Sequence, residues 1–217
     1  MSAVAWRILM PIRGIGLGKS RLADADRSAA DHRELVRALQ LDTVAVAVQA
    51  ARLRPDLLAG VYIVGAPETA TALLPGVVLL PDPGTGLNDA LRDAAAELAR
   101  LDRDAAVAVL MADLPSLRAE ALLTLLEHGV PDGHGRGFVA DRDGTGTTAL
   151  IALDALSLDP HFGPGSAQAH RRSGAVELAA GDGLRADVDT AADLRECLRL
   201  GVGPRTAEVL SQLQPFT

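Results

Sequence analysis

Chemistry in this chain begins where a short apolar run, Arg7-Ile8-Leu9-Met10-Pro11-Ile12, meets Arg13-Gly14-Ile15-Gly16-Leu17-Gly18-Lys19-Ser20-Arg21-Leu22. A glycine-rich loop at the end of a first strand can bring backbone N–H groups against phosphate oxygens, and Lys19 and Arg21 add positive charge at the same place. Lys19 would neutralise β- and γ-phosphate charge, while the Arg21 guanidinium could fork onto a second pair of oxygens. A Walker A loop needs a glycine five residues before Gly18, and Arg13 stands there, so a P-loop ATPase is disfavoured. The expectation is a nucleoside triphosphate site of another kind, against the plainer alternative of a solvated glycine turn.

Four further segments carry candidate groups. In Pro81-Asp82-Pro83-Gly84-Thr85-Gly86-Leu87-Asn88, Gly84 and Gly86 would let the backbone close over a purine or ribose, and Asn88 offers both a donor and an acceptor. Punctuation of a loop is the simpler reading of either glycine alone. Val107 to Ala112 is an apolar run ending in Asp113-Leu114-Pro115, which sets a carboxylate at a strand lip where a hard cation carrying phosphate oxygens would sit. Asp113 could instead cap the next helix, but Ser116 reads as the better cap. Thr145 to Thr148 and Gly163 to Ser166 are rich in small residues and hydroxyls, with Ser166 opening a helix. Together, with Arg171 and Arg172 close by, they suggest a second phosphate site, for an acceptor. His170 reads as a helix-surface histidine. In Asp187-Val188-Asp189-Thr190-Ala191-Ala192-Asp193, Thr190 and Asp193 form an N-capping pair. Asp187 and Asp189 point the same way from an extended segment, so that one could meet a metal held by Asp113 and the other support it.

The elements that must position these groups follow from the hydropathy pattern. Arg7–Ile12, Gly60–Gly65, Val77–Leu80 and Val107–Ala112 read as strands buried on both faces. Between them lie a helix over Asp31–Leu53, striped by Leu35, Leu39, Val46 and Ala50, and one marked by Leu87, Leu91, Ala95 and Leu98. A third runs from Ser116 to Gly129. Beyond it, strands Gly137–Asp141 and Thr147–Leu153 flank the turn at 142–146, followed by short helices after Ser166 and Thr190. The alternation predicts a single α/β domain over residues 1–217, with a mostly parallel, Rossmann-like sheet and helices on both faces. A net charge of −7 argues against a nucleic-acid surface, and one Trp, one Tyr and three Phe leave few platforms for stacked bases. The lone cysteine, Cys197, excludes an intrachain disulfide. Without a bilayer-length apolar run or signal-peptide pattern, a cytoplasmic protein with no membrane partner is expected.

Taken together, the glycine loop with Lys-Ser-Arg-Leu, Pro-Asp-Pro-Gly-x-Gly-Leu-Asn, Ala-Asp-Leu-Pro and Asp-x-Asp-Thr resemble the nucleotidyltransferase superfamily. The segments Ala140-Asp141-Arg142-Asp143-Gly144-Thr145-Gly146-Thr147 and Phe162-Gly163-Pro164-Gly165-Ser166 narrow the resemblance to the 2-phospho-L-lactate/phosphoenolpyruvate guanylyltransferases of coenzyme F-420 biosynthesis. The resemblance implies a sheet of the nucleotide-diphospho-sugar transferase type. It implies GTP over Pro11, Arg13, Gly14, Lys19, Gly84, Gly86 and Asn88, and magnesium on Asp113 with Asp187 or Asp189. It also places the phosphate of a three-carbon acid at Thr148, Gly163 and Ser166, with Lys19, Arg21 and Asp113 doing the chemistry. Where the family usually has lysine after the first strand, this chain has Arg13, which keeps the charge but changes its geometry. A homodimer, and a downstream transferase receiving a labile product, fit the same picture. The alternatives are a related transferase for a molybdopterin or sugar phosphate, and a nucleotide-binding regulator without catalysis. The residues do not choose among phosphoenolpyruvate, 2-phospholactate and 3-phosphoglycerate, which all carry a phosphate beside a carboxylate.

Overall fold

The computed structural model describes residues 5–12, 14–17, 19–22, 28–66 and 74–213, and of Arg21 the backbone only. In chain order the elements are β1 (Trp6–Pro11), α1 (Ala29–Leu53), β2 (Leu58–Gly65), β3 (Val77–Pro81), α2 (Leu87–Leu101), β4 (Ala106–Leu110), α3 (Ala119–His128), β5 (Arg136–Ala140) and β6 (Thr147–Ala152). They are followed by α4 (Ser166–Arg172), β7 (Val176–Glu177), α5 (Asp182–Arg185), α6 (Ala191–Leu200) and α7 (Pro204–Gln212). The strands form one sheet in the order β3-β2-β1-β4-β6-β5-β7. β1 pairs in parallel with β2 and β4, β2 with β3, and β5 with β7, while β6 runs antiparallel to both of its neighbours.

Strand periodicity divides the core into two layers. Ile8 and Met10 of β1 face one side, with Val44, Ala47 and Val48 of α1 and Leu122, Leu125 and Leu126 of α3. Leu9 faces the other, with Leu91, Ala94, Ala95 and Leu98 of α2, Val107 and Val109 of β4, and Phe138 of β5. The helix leaving β1 therefore covers one face and the helix entering β4 covers the other. The strand order reverses between β1 and β4, and in open α/β sheets ligands bind in the crevice at such a switch point. A third cluster joins Leu35 and Leu39 of α1 to Ala186, Val188, Leu194 and Cys197, seating the Asp187–Asp189 segment against α1.

The expected strands and helices appear with small shifts at their ends. β3 is the exception to burial on both faces: it is an edge strand in which only Leu80 is buried. α3 begins later than expected and is capped at Arg118, because the Ser116 hydroxyl donates instead to the Cys197 carbonyl, 3.0 Å away. The capping box of Thr190 and Asp193 is present as expected. β7, α5 and α7 were not anticipated. α7 starts with Pro204, the usual mark of a first helical turn, and its N-terminus is held by the buried Asp42 of α1, which accepts from Arg205 N and Thr206 N at 3.2 and 2.8 Å. Among the described residues no helix is long and apolar enough to cross a membrane.

Candidate active site

The C-terminal ends of β1, β4 and β5 and the N-terminal end of the reversed β6 open onto one crevice. Two cavities of about 630 and 600 Å³ lie there side by side, both lined by Lys19, Leu87, Met111, Asp113, Phe162 and Gly163. The first is polar, bounded by Asp141, Thr145, Thr147, Ser166, Asp187 and Asp189. The second is more apolar, bounded by Pro11, Ile12, Gly14, Leu17, Leu39 and Gln40.

At the partition stand the charged groups. Asp113, three residues beyond β4, Asp187 and Asp189 each turn a carboxylate oxygen into a space in which all three atoms lie within 4.8 Å of one another. The Val188 N–H donates to the Asp113 carbonyl at 3.1 Å, so the two segments are zipped together and Asp187 and Asp189 flank the pairing. Lys19 Nζ donates to Asp113 Oδ2 and, at 2.5 Å, to Asp189 Oδ1. Lys19 is the one non-glycine residue with positive φ among those described, at +58°. A left-handed conformation is costly for a side chain with a Cβ, and its presence marks a residue held in place for its position. Burial alone would lower the lysine pKa, but Asp113 and then Asp189 outweigh it and hold the pKa above the ordinary lysine value. Asp187 moves the other way: burial first, then the neighbouring Asp113 charge, push its pKa up to about 7 against the opposing pull of Lys19.

Three carboxylates against one ammonium leave an excess of negative charge when all are ionised, and Asp113 Oδ1 is buried with no hydrogen-bond partner. An orphaned carboxylate oxygen facing two more oxygen donors suits a hard divalent cation, so the residues fit the expected magnesium.

Around this centre the remaining groups fall into place unevenly. Pro11 and Gly14 line the apolar cavity. Arg13 and the Arg21 side chain lie outside the described residues. Gly84 and Gly86 line neither cavity, but both have positive φ, and an added Cβ would meet nothing within 4 Å, which leaves their backbone open to close approach. Asn88 has a different occupation from the one expected. Its Nδ2 donates to the Phe162 carbonyl at 3.0 Å and its Oδ1 accepts from the Phe162 N–H at 2.8 Å, so both ends of the amide clasp the lip between the cavities.

On the acceptor side, Gly163 and Ser166 line the polar cavity as expected, but the Ser166 N–H is taken by the Gly163 carbonyl at 3.1 Å, leaving the hydroxyl as its contribution. The Thr148 hydroxyl is turned away from the cavity: the residue is buried, with Oγ1 at 3.5 Å from the Val139 carbonyl. Its neighbour Thr147 lines the cavity. Asp141, not singled out for its side chain, shapes the turn by accepting from Thr145 N and Gly146 N at 2.9 and 2.7 Å. His170 is not on the surface: it is fully buried beneath the polar cavity. Burial first, and then His161, lowers its pKa to about 4.

The fold is that of the nucleotide-diphospho-sugar transferases. A Desulfovibrio desulfuricans G20 protein described by that name superposes with a TM-score of 0.68 at 17% identity, covering 96% of this chain and 95% of the other. A 4-diphosphocytidyl-2C-methyl-D-erythritol synthase gives 0.56 at 16% identity, over 91% and 98% of the two chains. The family described as "Guanylyl transferase CofC like" matches residues 6–216. The phosphoenolpyruvate guanylyltransferase of Streptomyces scabiei (strain 87.22) is 43% identical over 96% of this chain and 97% of its own, and that of Mycolicibacterium vanbaalenii is 41% identical over 95% and 96%. The chain belongs to the CofC-like guanylyltransferase family.

Proposed function

We propose that this protein transfers a guanylyl group from GTP to phosphoenolpyruvate with release of pyrophosphate, as a step in coenzyme F-420 biosynthesis. The observation that carries the reading is the Asp113–Asp187–Asp189 trio with Lys19, standing on the partition between an apolar cavity and a polar one. The apolar cavity takes the nucleoside, with Pro11 and Gly14 at its wall, and the polar one takes the acid beside Gly163 and Ser166. The triphosphate then lies over the loop that ends in Lys19. Asp113, Asp187 and Asp189 would hold magnesium, which supplies a positive centre for phosphate oxygens.

A phosphate oxygen of the acceptor attacks the α-phosphorus in line, a new P–O bond forms, and the bond to the β-phosphate oxygen breaks, with pyrophosphate carrying away the charge. The phosphate monoester is already ionised at neutral pH, so no side chain has to remove a proton. The barrier lies in bringing two polyanions together. Lys19, fixed by two carboxylates and kept charged by them, offsets that repulsion with no reorganisation at the moment of reaction.

The test is pyrophosphate release from GTP or ATP with phosphoenolpyruvate, 2-phospholactate or 3-phosphoglycerate, with the next transferase present to trap a labile product. Release that depends on GTP, phosphoenolpyruvate and magnesium together is the expected result. Preference for another acid would change the acceptor, and no release with any pair would refute the reading.

A further inference from the structure

Beneath the polar cavity, His170 of α4 joins two walls that come from distant parts of the chain. Its Nε2 lies 3.0 Å from the backbone nitrogen of His161 and its Nδ1 lies 2.9 Å from Thr147 Oγ1. A backbone N–H can only donate, so Nε2 is the acceptor and the ring proton sits on Nδ1. That proton points at Thr147, whose oxygen accepts it, and the hydroxyl hydrogen of Thr147 is left to be donated elsewhere. Thr147 lines the polar cavity, and so does Phe162, the residue after His161. The ring is locked on its other sides by Phe138 and Phe162, with centroids 5.7 and 5.3 Å away.

We propose that His170 is a positioning residue for the acceptor: as the Nδ1–H tautomer it ties the His161–Phe162 lip to β6 and makes Thr147 a one-way hydrogen-bond donor toward an anionic oxygen in the polar cavity. This rests on the acceptor being a small phosphorylated acid bound there. Nearby, the lip is also clasped by Asn88 through Phe162, and α4 is tied to the turn before β6 by the bond from Ala167 N to the Thr145 carbonyl at 3.1 Å. Losing the imidazole removes both the tether and the orientation of the hydroxyl. Protonation at Nε2 would do the same, since two donors would then face each other. The groups that bear on it are His161, Asp159 and Arg136, with the Ser166 backbone on its own helix: Asp159 lies 3.0 Å from His161 Nε2 and 2.9 Å from Arg136 Nη1.

Two measurements test this. In the wild-type protein, long-range 15N–1H NMR of the histidine rings at pH 7 should show His170 with a protonated Nδ1 and a bare Nε2; the opposite tautomer or an imidazolium overturns the proposal. In steady-state kinetics, His170→Phe should raise the phosphoenolpyruvate KM at least tenfold and leave the GTP KM within about twofold. His170→Gln, which retains one donor and one acceptor, should recover most of that loss. A variant that loses thermal stability while both KM values stay fixed, or rise together, makes His170 a packing residue only and overturns the assignment. Where His170→Phe does not fold, Thr147→Val against Thr147→Ser gives the same KM comparison, with only the serine variant retaining acceptor affinity. Absence of turnover with phosphoenolpyruvate in the wild type would refute the functional reading, while the tautomer spectrum would still decide the hydrogen bonding of the ring.

Discussion

At the scale of single residues, the site is a balance of charges held at fixed points. Asp113 has one oxygen on Lys19 and the other buried without a partner, so it is committed both to holding the lysine and to the expected cation. Asp113→Ala should lower turnover by roughly a thousandfold or more, since losing a metal ligand removes several kcal/mol of transition-state stabilisation. Its thermal midpoint should stay close to that of the wild type, and near-normal turnover at saturating magnesium would take Asp113 out of the centre. Lys19 allows a separation of charge from backbone strain. Lys19→Ala and Lys19→Gly both lose the ammonium, but only glycine adopts φ near +58° freely. Lys19→Gly should therefore be more stable than Lys19→Ala by about 1 kcal/mol in urea unfolding, with both nearly inactive. Equal stability of the two would show that the loop relaxes when the side chain is removed.

At the scale of elements, the acceptor wall is built by clasps between segments far apart in sequence. Asn88, at the start of α2, carries two side-chain bonds to the Phe162 backbone, and losing a pair of that kind costs about 1–3 kcal/mol. Asn88→Ala should speed hydrogen exchange of the Phe162 amide by about tenfold or more; undiminished protection would mean that the lip is held by His170 alone. His170 gives the same wall a pH dependence of stability. Its pKa falls from an ordinary 6.5 when unfolded to about 4 when folded, so between those values the unfolded chain binds the proton more readily. The stabilisation from burying the neutral ring is complete above pH 6.5 and is lost as pH falls through 4, up to about 3 kcal/mol. Urea unfolding at pH 7 and pH 5 should show a larger loss for the wild type than for His170→Gln, and parallel losses would contradict this.

Elements also explain what could be read from the sequence. Asp113, Asp187, Asp189 and Lys19 were legible because an apolar strand, an alternating pair and a glycine loop each fix where a side chain emerges, and the fold brings those ends to one point. Which residue at the start of β6 lines the cavity, Thr147 and not Thr148, was not legible, because the pairing is irregular there, between Val139 and Ala140. The burial of His170 and the clasp of Asn88 were not legible for a common reason: each is set by a backbone atom more than a helical turn away, at His161 or Phe162, and no local pattern announces it. Ser116 shows the same limit, since its partner is the Cys197 carbonyl in α6.

At the scale of the whole molecule, the reversed β6 is what lets one crevice collect both substrates. β1, β4 and β5 present their C-terminal ends there, while β6 begins there, bringing Thr147 and the turn of Asp141 beside the carboxylate trio. Gly146 sits so close to Asp141 Oδ2 that an added Cβ would overlap it. Gly146→Ala should open this turn and weaken acceptor affinity about tenfold while sparing GTP, and an unchanged acceptor KM would show that the turn does not shape the polar cavity.

The order in which the chain is made gives the Val188–Asp113 zipper one more meaning. Lys19 and Asp113 emerge from the ribosome well before Asp187 and Asp189, and the segment that carries the later pair is seated by Leu194 and Cys197, which come later still. A nascent chain that stops short of α5 has its sheet strands but only Lys19 and Asp113 of its charged centre. In such a chain the Asp187 and Asp189 carboxylates have yet to join Lys19 and Asp113, so the charged cluster is among the last parts of the fold to be assembled.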